Sequence, residues 1–180
     1  MGVLLGLRRT HARAAPGERA YDYKPFYRGS KVSVIGAITE SKVLAVMTLN
    51  DSMDSAAFKV YISKCLVPQL WKGAVVVMDN LPAHKVKAMR EAKLPQSPSE
   101  TMARMRRPLI EAVGAKVLYL SPYSPEFNPI EHWWSQLKAF LRQFSPRTSK
   151  IVDTLIKIAI DLMNPKHLRN WFAHCCYCPS

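Results

Sequence analysis

Two carboxylates in this chain stand where acid-assisted or metal-assisted chemistry would need them. An apolar run, Ala74-Val75-Val76-Val77-Met78, ends in Asp79-Asn80, and the later segment Ser124-Pro125-Glu126-Phe127-Asn128-Pro129-Ile130 leads into Glu131. The valine-rich run is bounded by Gly73 and by Asn80 and Pro82, which predicts a buried strand. Asp79 then sits at the strand's carboxyl end, where open α/β sheets place their ligands. The second segment predicts a helix start with Asn128 as N-cap, Pro129 at the first helical position and Glu131 in the first turn. Two carboxylates brought together from distant positions repel unless a positive charge lies between them, and a divalent cation is the usual solution. Asp79 and Glu131 are therefore the candidate catalytic residues and metal ligands.

Plainer roles exist for both. Asp79 can close a turn before a helix over residues 81–92, and Glu131, three positions after Asn128, fits a capping box that satisfies backbone donors. Around them, Asn80 is a candidate to orient Asp79 or to meet a phosphate, and His84, five positions beyond Asp79, and Asn128 are supporting candidates.

The elements that must position these residues follow from periodicity. Paired strands are predicted over 31–39 and 43–49, joined by the polar turn Glu40-Ser41-Lys42. Residues 54–70 read as a helix with Ala57, Tyr61, Cys65 and Val67 toward the core, and 116–120 as the last strand. Ile130, Trp133, Trp134, Leu137, Phe140 and Leu141 repeat at helical spacing behind Glu131 and supply a core face. Residues 151–162 are amphipathic, and 166–173 form a further short helix. The stretches 14–17 and 145–149 are too short to separate domains, no internal repeat occurs, and the length suits one domain, residues 1–180.

A formal charge of +13 and a pI near 9.8 give the chain a field that attracts polyanions. The basic residues spread around the acids, and Arg8, Arg9, Arg13, Lys85, Lys87, Lys138 and Arg142 are the candidate DNA contacts. Tyr21, Tyr23, Phe26 and Tyr27 interleave with Lys24 and Arg28, a pattern that suits either base stacking or packing at a strand edge. His174, Cys175, Cys176 and Cys178 crowd into too short a segment to wrap a tetrahedral zinc, and Cys65 falls on an apolar helix face. With no export segment and no long apolar run, the expected setting is a reducing cytoplasm with no membrane partner.

Val77-Met78-Asp79-Asn80 with Ala83-His84, followed by Leu118-Tyr119-Leu120-Ser121-Pro122-Tyr123-Ser124-Pro125 and Asn128-Pro129-Ile130-Glu131, resembles the catalytic domain of DDE transposases, in the bacterial insertion-sequence branch of the mariner superfamily. The likeness runs from Gly6-Leu7-Arg8-Arg9-Thr10-His11 to Trp171-Phe172-Ala173-His174-Cys175. It implies an α/β, ribonuclease-H-like fold with a mixed central sheet flanked by helices. It also implies an enzyme that cuts and joins DNA at transposon ends and in target DNA, at the bacterial nucleoid, with three acids holding two Mg2+ or Mn2+ ions. Asp79 matches the family's second acid and Glu131 its third.

Two departures from the family pattern shape the expectations. No Asp or Glu precedes Glu18, so the first catalytic strand and its acid are expected to be missing, and a helix-turn-helix module ahead of the catalytic domain is expected to be absent. Activity then requires a complementing upstream polypeptide, and a homodimer is the other candidate assembly. The second departure is the separation of Asp79 and Glu131 by 52 positions, longer than in the family. Residues 93–109, with Pro95 and Pro98 interrupting the helical pattern, account for the surplus as a flexible surface insertion.

Three functions fit these residues: a transposase domain, a degenerate remnant that binds nucleic acid by charge alone, and a glycosidase using the two acids as acid and base. The basic composition argues against the last, since neutral sugars gain nothing from it.

Overall fold

The computed structural model describes residues 1–8, 11–21, 30–79, 109–121 and 124–177. Strands β1 (Gly2–Leu4), β2 (Lys31–Ile38) and β3 (Val43–Leu49) form an antiparallel sheet with β2 in the centre. Strands β4 (Val75–Met78) and β5 (Lys116–Tyr119) pair in parallel, Val77 opposite Leu118. Antiparallel and parallel pairing are thus both present, as the α/β reading requires, in two hydrogen-bonded sheets.

The hairpin β2–β3 turns where the sequence places it. Thr39 Oγ1 accepts hydrogen bonds from the backbone N–H groups of Ser41 and Lys42 at 3.3 and 3.1 Å, closing the polar turn. β1 was not anticipated. Its three residues are held because Val3 is fully buried opposite Val32, and it carries no acid.

Alternation along β2 explains the two-sided core. Val32 and Val34 point to one face and Ile35 to the other, so the central strand is buried on both sides. The first face packs against helices α2 (Pro129–Phe144) and α3 (Ser149–Asp161) through Trp133, Trp134, Leu137, Leu141, Val152 and Ile156. The second covers Tyr61, Ile62, Leu66, Ala74, Ile110 and Ala115.

Gly36 makes the first packing possible. A Cβ there would stand 2.8 Å from Trp133 Cζ3 and 2.8 Å from Trp134 Cη2, closer than carbon atoms approach.

The expected helix over 54–70 is helical but not uniform. Helix α1 (Ser55–Val60) starts at Asp54, whose side chain accepts from the Ala57 N–H at 2.7 Å. It widens to a π-helical stretch over Tyr61–Leu66 and tightens at Val67–Gln69, where Pro68 stops it. Tyr61 is buried as expected, with Ile62 and Leu66 beside it, and the expected Cys65 and Val67 are half-buried against the same core, while Ala57 is half-buried. At the C-terminal side, Ser145 in the left-handed conformation (φ 47°) ends α2, Thr148 caps α3, and Asn164 caps α4 (Pro165–His174). The proposed insertion and the 81–92 helix lie outside the described residues, apart from Leu109. Among the described residues no helix is long and apolar enough to cross a membrane.

Candidate active site

β4 carries Asp79 out of the sheet at its carboxyl end, half-buried, immediately after Met78. Its Oδ1 accepts a hydrogen bond of 2.6 Å from the side-chain amide of Asn128. Asn128 is itself buried, at 9% exposure, at the N-cap of α2. An Asn there ordinarily turns its side-chain oxygen onto the first-turn N–H groups. Here Pro129 fills the first helical position and no side-chain cap bond forms, so the amide reaches across to β4 instead.

The capping-box expectation is therefore corrected. The Asn128 N–H, which Glu131 would have to satisfy, donates to the Pro125 carbonyl at 3.0 Å. Glu131 is exposed in the first turn of α2, where the positive end of the helix dipole favours a carboxylate. Its setting is anchored by the fully buried Trp133 two residues on.

Beside Glu131 stands the start of β1. The Met1 α-ammonium donates to the Val34 carbonyl at 2.7 Å. Burial lowers its proton affinity below that of an ordinary amine, the neighbouring Glu131 carboxylate opposes this, and Lys138 and Lys31 reinforce it. Lys31 and Lys138 therefore lie within electrostatic reach of the same spot as Glu131.

On the other side, Cys176 adopts the left-handed conformation (φ 65°) and turns the chain back after α4. The Tyr177 N–H donates to the Phe172 carbonyl at 2.9 Å, and the two rings pack at 6.0 Å. The Tyr177 phenol is pushed up from its usual pKa by burial first, and then by Cys175 and Asp79.

Of the candidates read from the sequence, Asp79 and Asn128 are in contact, Glu131 follows Asn128 within one turn, and Lys138 is close by. Arg142 is half-buried in the last turn of α2, about 16 Å along the helix axis from Glu131. It is not brought to the acids. Arg8 is half-buried after β1 and Arg13 exposed in the following loop. Asn80, His84, Lys85, Lys87 and Arg9 lie outside the described residues, as does Cys178. Cys175 is buried and Cys176 exposed, both as free thiols, and among the described residues no three His, Cys, Asp or Glu side chains converge as a metal cluster would.

Sequence reasoning weighed His174 only as a zinc ligand and missed that His132, His167, Trp171 and His174 meet between α2 and α4; it also missed Tyr177. The available signal was the spacing of His167, Trp171 and His174, which puts all three on one stripe of α4.

An antiparallel and a parallel sheet, flanked by helices and presenting an acid at the end of a parallel strand, define an α/β domain and are compatible with a ribonuclease-H-like fold. Residues 1–156 match the family model of the DDE superfamily endonucleases, and the chain belongs to that family. Among solved structures it is similar to the Mos1 transposase paired-end complex with left transposon end (TM-score 0.70, 15% identity, 97% of this chain and 50% of that one). It is also similar to the Mos1 strand transfer complex (TM-score 0.66, 15% identity, 97% and 49%). A third is the Mos1 mariner paired end complex with Mn (TM-score 0.63, 14% identity, 97% and 51%). At such identities the likeness establishes the fold, and the chain spans about half the length of the solved chains it matches. No curated protein matches the sequence.

Proposed function

We propose that these 180 residues form the DNA-cleaving and strand-transfer domain of a transposase, contributing Asp79 and Glu131 as carboxylate ligands of a divalent cation. The observation that carries the reading is the 2.6 Å bond from Asn128 to Asp79, which ties the end of β4 to the helix start bearing Glu131. Membership of the DDE endonuclease family supports it, as do structural neighbours that are transposase complexes with a transposon end and with Mn.

The donor set fits a hard cation. Both ligands are carboxylates, and Mg2+ or Mn2+ completes such a pair with water and substrate phosphate oxygens. When bound, the ion supplies Lewis-acid stabilisation of the phosphoryl oxygens and a more acidic attacking hydroxyl. The chain's own residues do the rest. Asn128 occupies Oδ1 of Asp79 and so fixes the carboxylate's orientation, Glu131 presents its carboxylate from the rigid first turn of α2, and Lys31 and Lys138 attract the DNA backbone to that side. The setting that follows is the DNA of the cytoplasm, with a homodimer or a complementing polypeptide as the assembly.

These residues hold two of the three acids that the family resemblance implies, so the chain alone is expected to bind Mn2+ weakly and not to cleave. Mn2+ titration followed by electron paramagnetic resonance, with cleavage of labelled end DNA in parallel, tests this. Weak binding lost in Asp79→Ala and in Glu131→Ala supports the site. Binding indifferent to both substitutions overturns it, and robust cleavage by the chain alone overturns the two-acid account. A second reading, DNA binding without cleavage, is favoured by the formal charge of +13, which attracts a polyanion whether or not a metal is held. It predicts DNA affinity unchanged by Mn2+, whereas the first predicts DNA binding that tightens with Mn2+.

A further inference from the structure

The seam between α2 and α4 carries a row of rings alongside the buried Leu168. His167, Trp171 and His174 recur along one stripe of α4 and face His132 and Gln136 of α2. The His132 and His174 rings meet edge to face with centroids 5.0 Å apart. Trp171 lies nearly parallel to His132, 15° apart with centroids at 6.4 Å, and His167 flanks Trp171 at 6.1 Å. Gln136 Nε2 and His167 Nδ1 are 3.3 Å apart.

Exposure is the informative part. His167 and His174 are exposed and His132 and Trp171 half-buried, so the row presents ring surface to solvent. Its position matters as much. His132 is the residue after Glu131, and the turn beyond α4 brings Tyr177, packed on Phe172, to the Asp79 side. The row is thus tied to the acids through α2, which carries Glu131 and His132 in succession, and through Tyr177, which lies within electrostatic reach of Asp79. α4 carries Lys166 and Arg169 and no carboxylate, which suits a polyanion passing over it.

We propose that His174, with Trp171 and His132 behind it, is a stacking shelf for an unpaired nucleotide next to the phosphate that Asp79 and Glu131 address. This rests on the DNA-processing reading above and extends it, because it names the substrate as DNA with a locally unpaired strand at the site. Every base has a π-face, so rings beside a basic surface hold single-stranded nucleotides with little regard for sequence. A base kept inside a duplex stack cannot use the shelf.

The test compares two oligonucleotides on the intact 180-residue chain: a fully paired duplex, and the same duplex with a short unpaired tail containing 2-aminopurine. Wild-type protein binds the tailed DNA more tightly and quenches the 2-aminopurine. His174→Ala lowers tailed-duplex affinity by about 5- to 100-fold, the usual cost of losing one stacked base, and leaves paired-duplex affinity within about twofold. His174→Phe restores both affinity and quenching, and His174→Lys, which keeps a positive charge without a ring, restores neither. Trp171 packs against the core, so Trp171→Phe serves as the second variant and reduces quenching without unfolding the chain. Equal affinity and quenching in wild type and His174→Ala overturn the shelf while leaving the functional reading intact, and full rescue by His174→Lys reassigns the residue to a phosphate. Wild-type protein that binds neither DNA overturns the functional reading itself.

Discussion

The two acids rest on supports of opposite kinds. Glu131 rides on a 16-residue helix whose inner face, Trp133, Leu137 and Leu141, is almost completely buried against the antiparallel sheet. Asp79 ends a four-residue strand that is half-buried at best, with Val75 57% exposed at its start. Burial fixes the helix. The strand end is fixed by its parallel partner β5 and by one side-chain hydrogen bond from the helix cap. The contrast separates stability from placement: changes under Glu131 should cost folding energy first, and changes beside Asp79 should cost geometry first.

The largest break in that contrast is Trp133→Ala. The side chain is fully buried between α2 and β2, so its removal opens a cavity and should cost about 3–5 kcal/mol. Urea unfolding followed by circular dichroism checks it, with a fall in midpoint at unchanged slope as the expected result. A loss below about 1 kcal/mol would mean that the α2 core collapses freely and does not fix Glu131.

Gly36→Ala approaches the same contact from the sheet. The new Cβ would meet Trp133 and Trp134 ring atoms at 2.8 Å, and the two rings, with centroids 4.4 Å apart, leave each other little room to retreat. Overpacking of this kind costs about 1–3 kcal/mol, read in the same unfolding experiment. A stabilising effect would show that the rings shift without cost.

How much of this was legible beforehand follows the same division. The stripe behind Glu131 repeats at helical spacing over two to three turns, and every residue assigned to it from sequence is buried or packs against the buried cluster. β2, β3, β4 and β5 were readable as strands because their apolar runs are short and bounded by turn residues. The burial expected of β4 is corrected: its residues are at best half-buried and Val75 is exposed, since the strand has one parallel partner, β5, among the described residues. Three things were not readable. A three-residue strand such as β1 has no period. The π-helical widening at Tyr61 depends on what the helix packs against, not on its composition. The role of Asn128 is tertiary: the sequence identified an N-cap and a supporting residue, but local propensity favours the side chain turned inward, and only the proximity of Asp79 turns it outward.

The contrast is sharpened most by two substitutions of similar small cost. Asp54→Ala removes the side-chain bond to the Ala57 N–H at the start of α1, and Asn128→Ala removes the bond to Asp79 Oδ1. A lost cap costs about 1 kcal/mol. A lost charge-assisted bond costs about 1.5 kcal/mol, less where water can reach the freed carboxylate, as it can at half-buried Asp79. Unfolding curves of the two variants should therefore nearly coincide. Mn2+ titration should separate them: Asp54→Ala binds like wild type, while Asn128→Ala weakens binding because Asp79 now samples orientations turned away from Glu131. Asn128→Asp carries the test one step further. It sets a second carboxylate against Asp79, which destabilises the cation-free protein through like-charge repulsion and makes the loss recoverable by Mn2+. Recovery of Asn128→Asp by Mn2+, with none for Asp54→Ala, would show that the helix cap serves the acid rather than the helix, and the same response in both variants would return Asn128 to a purely structural role.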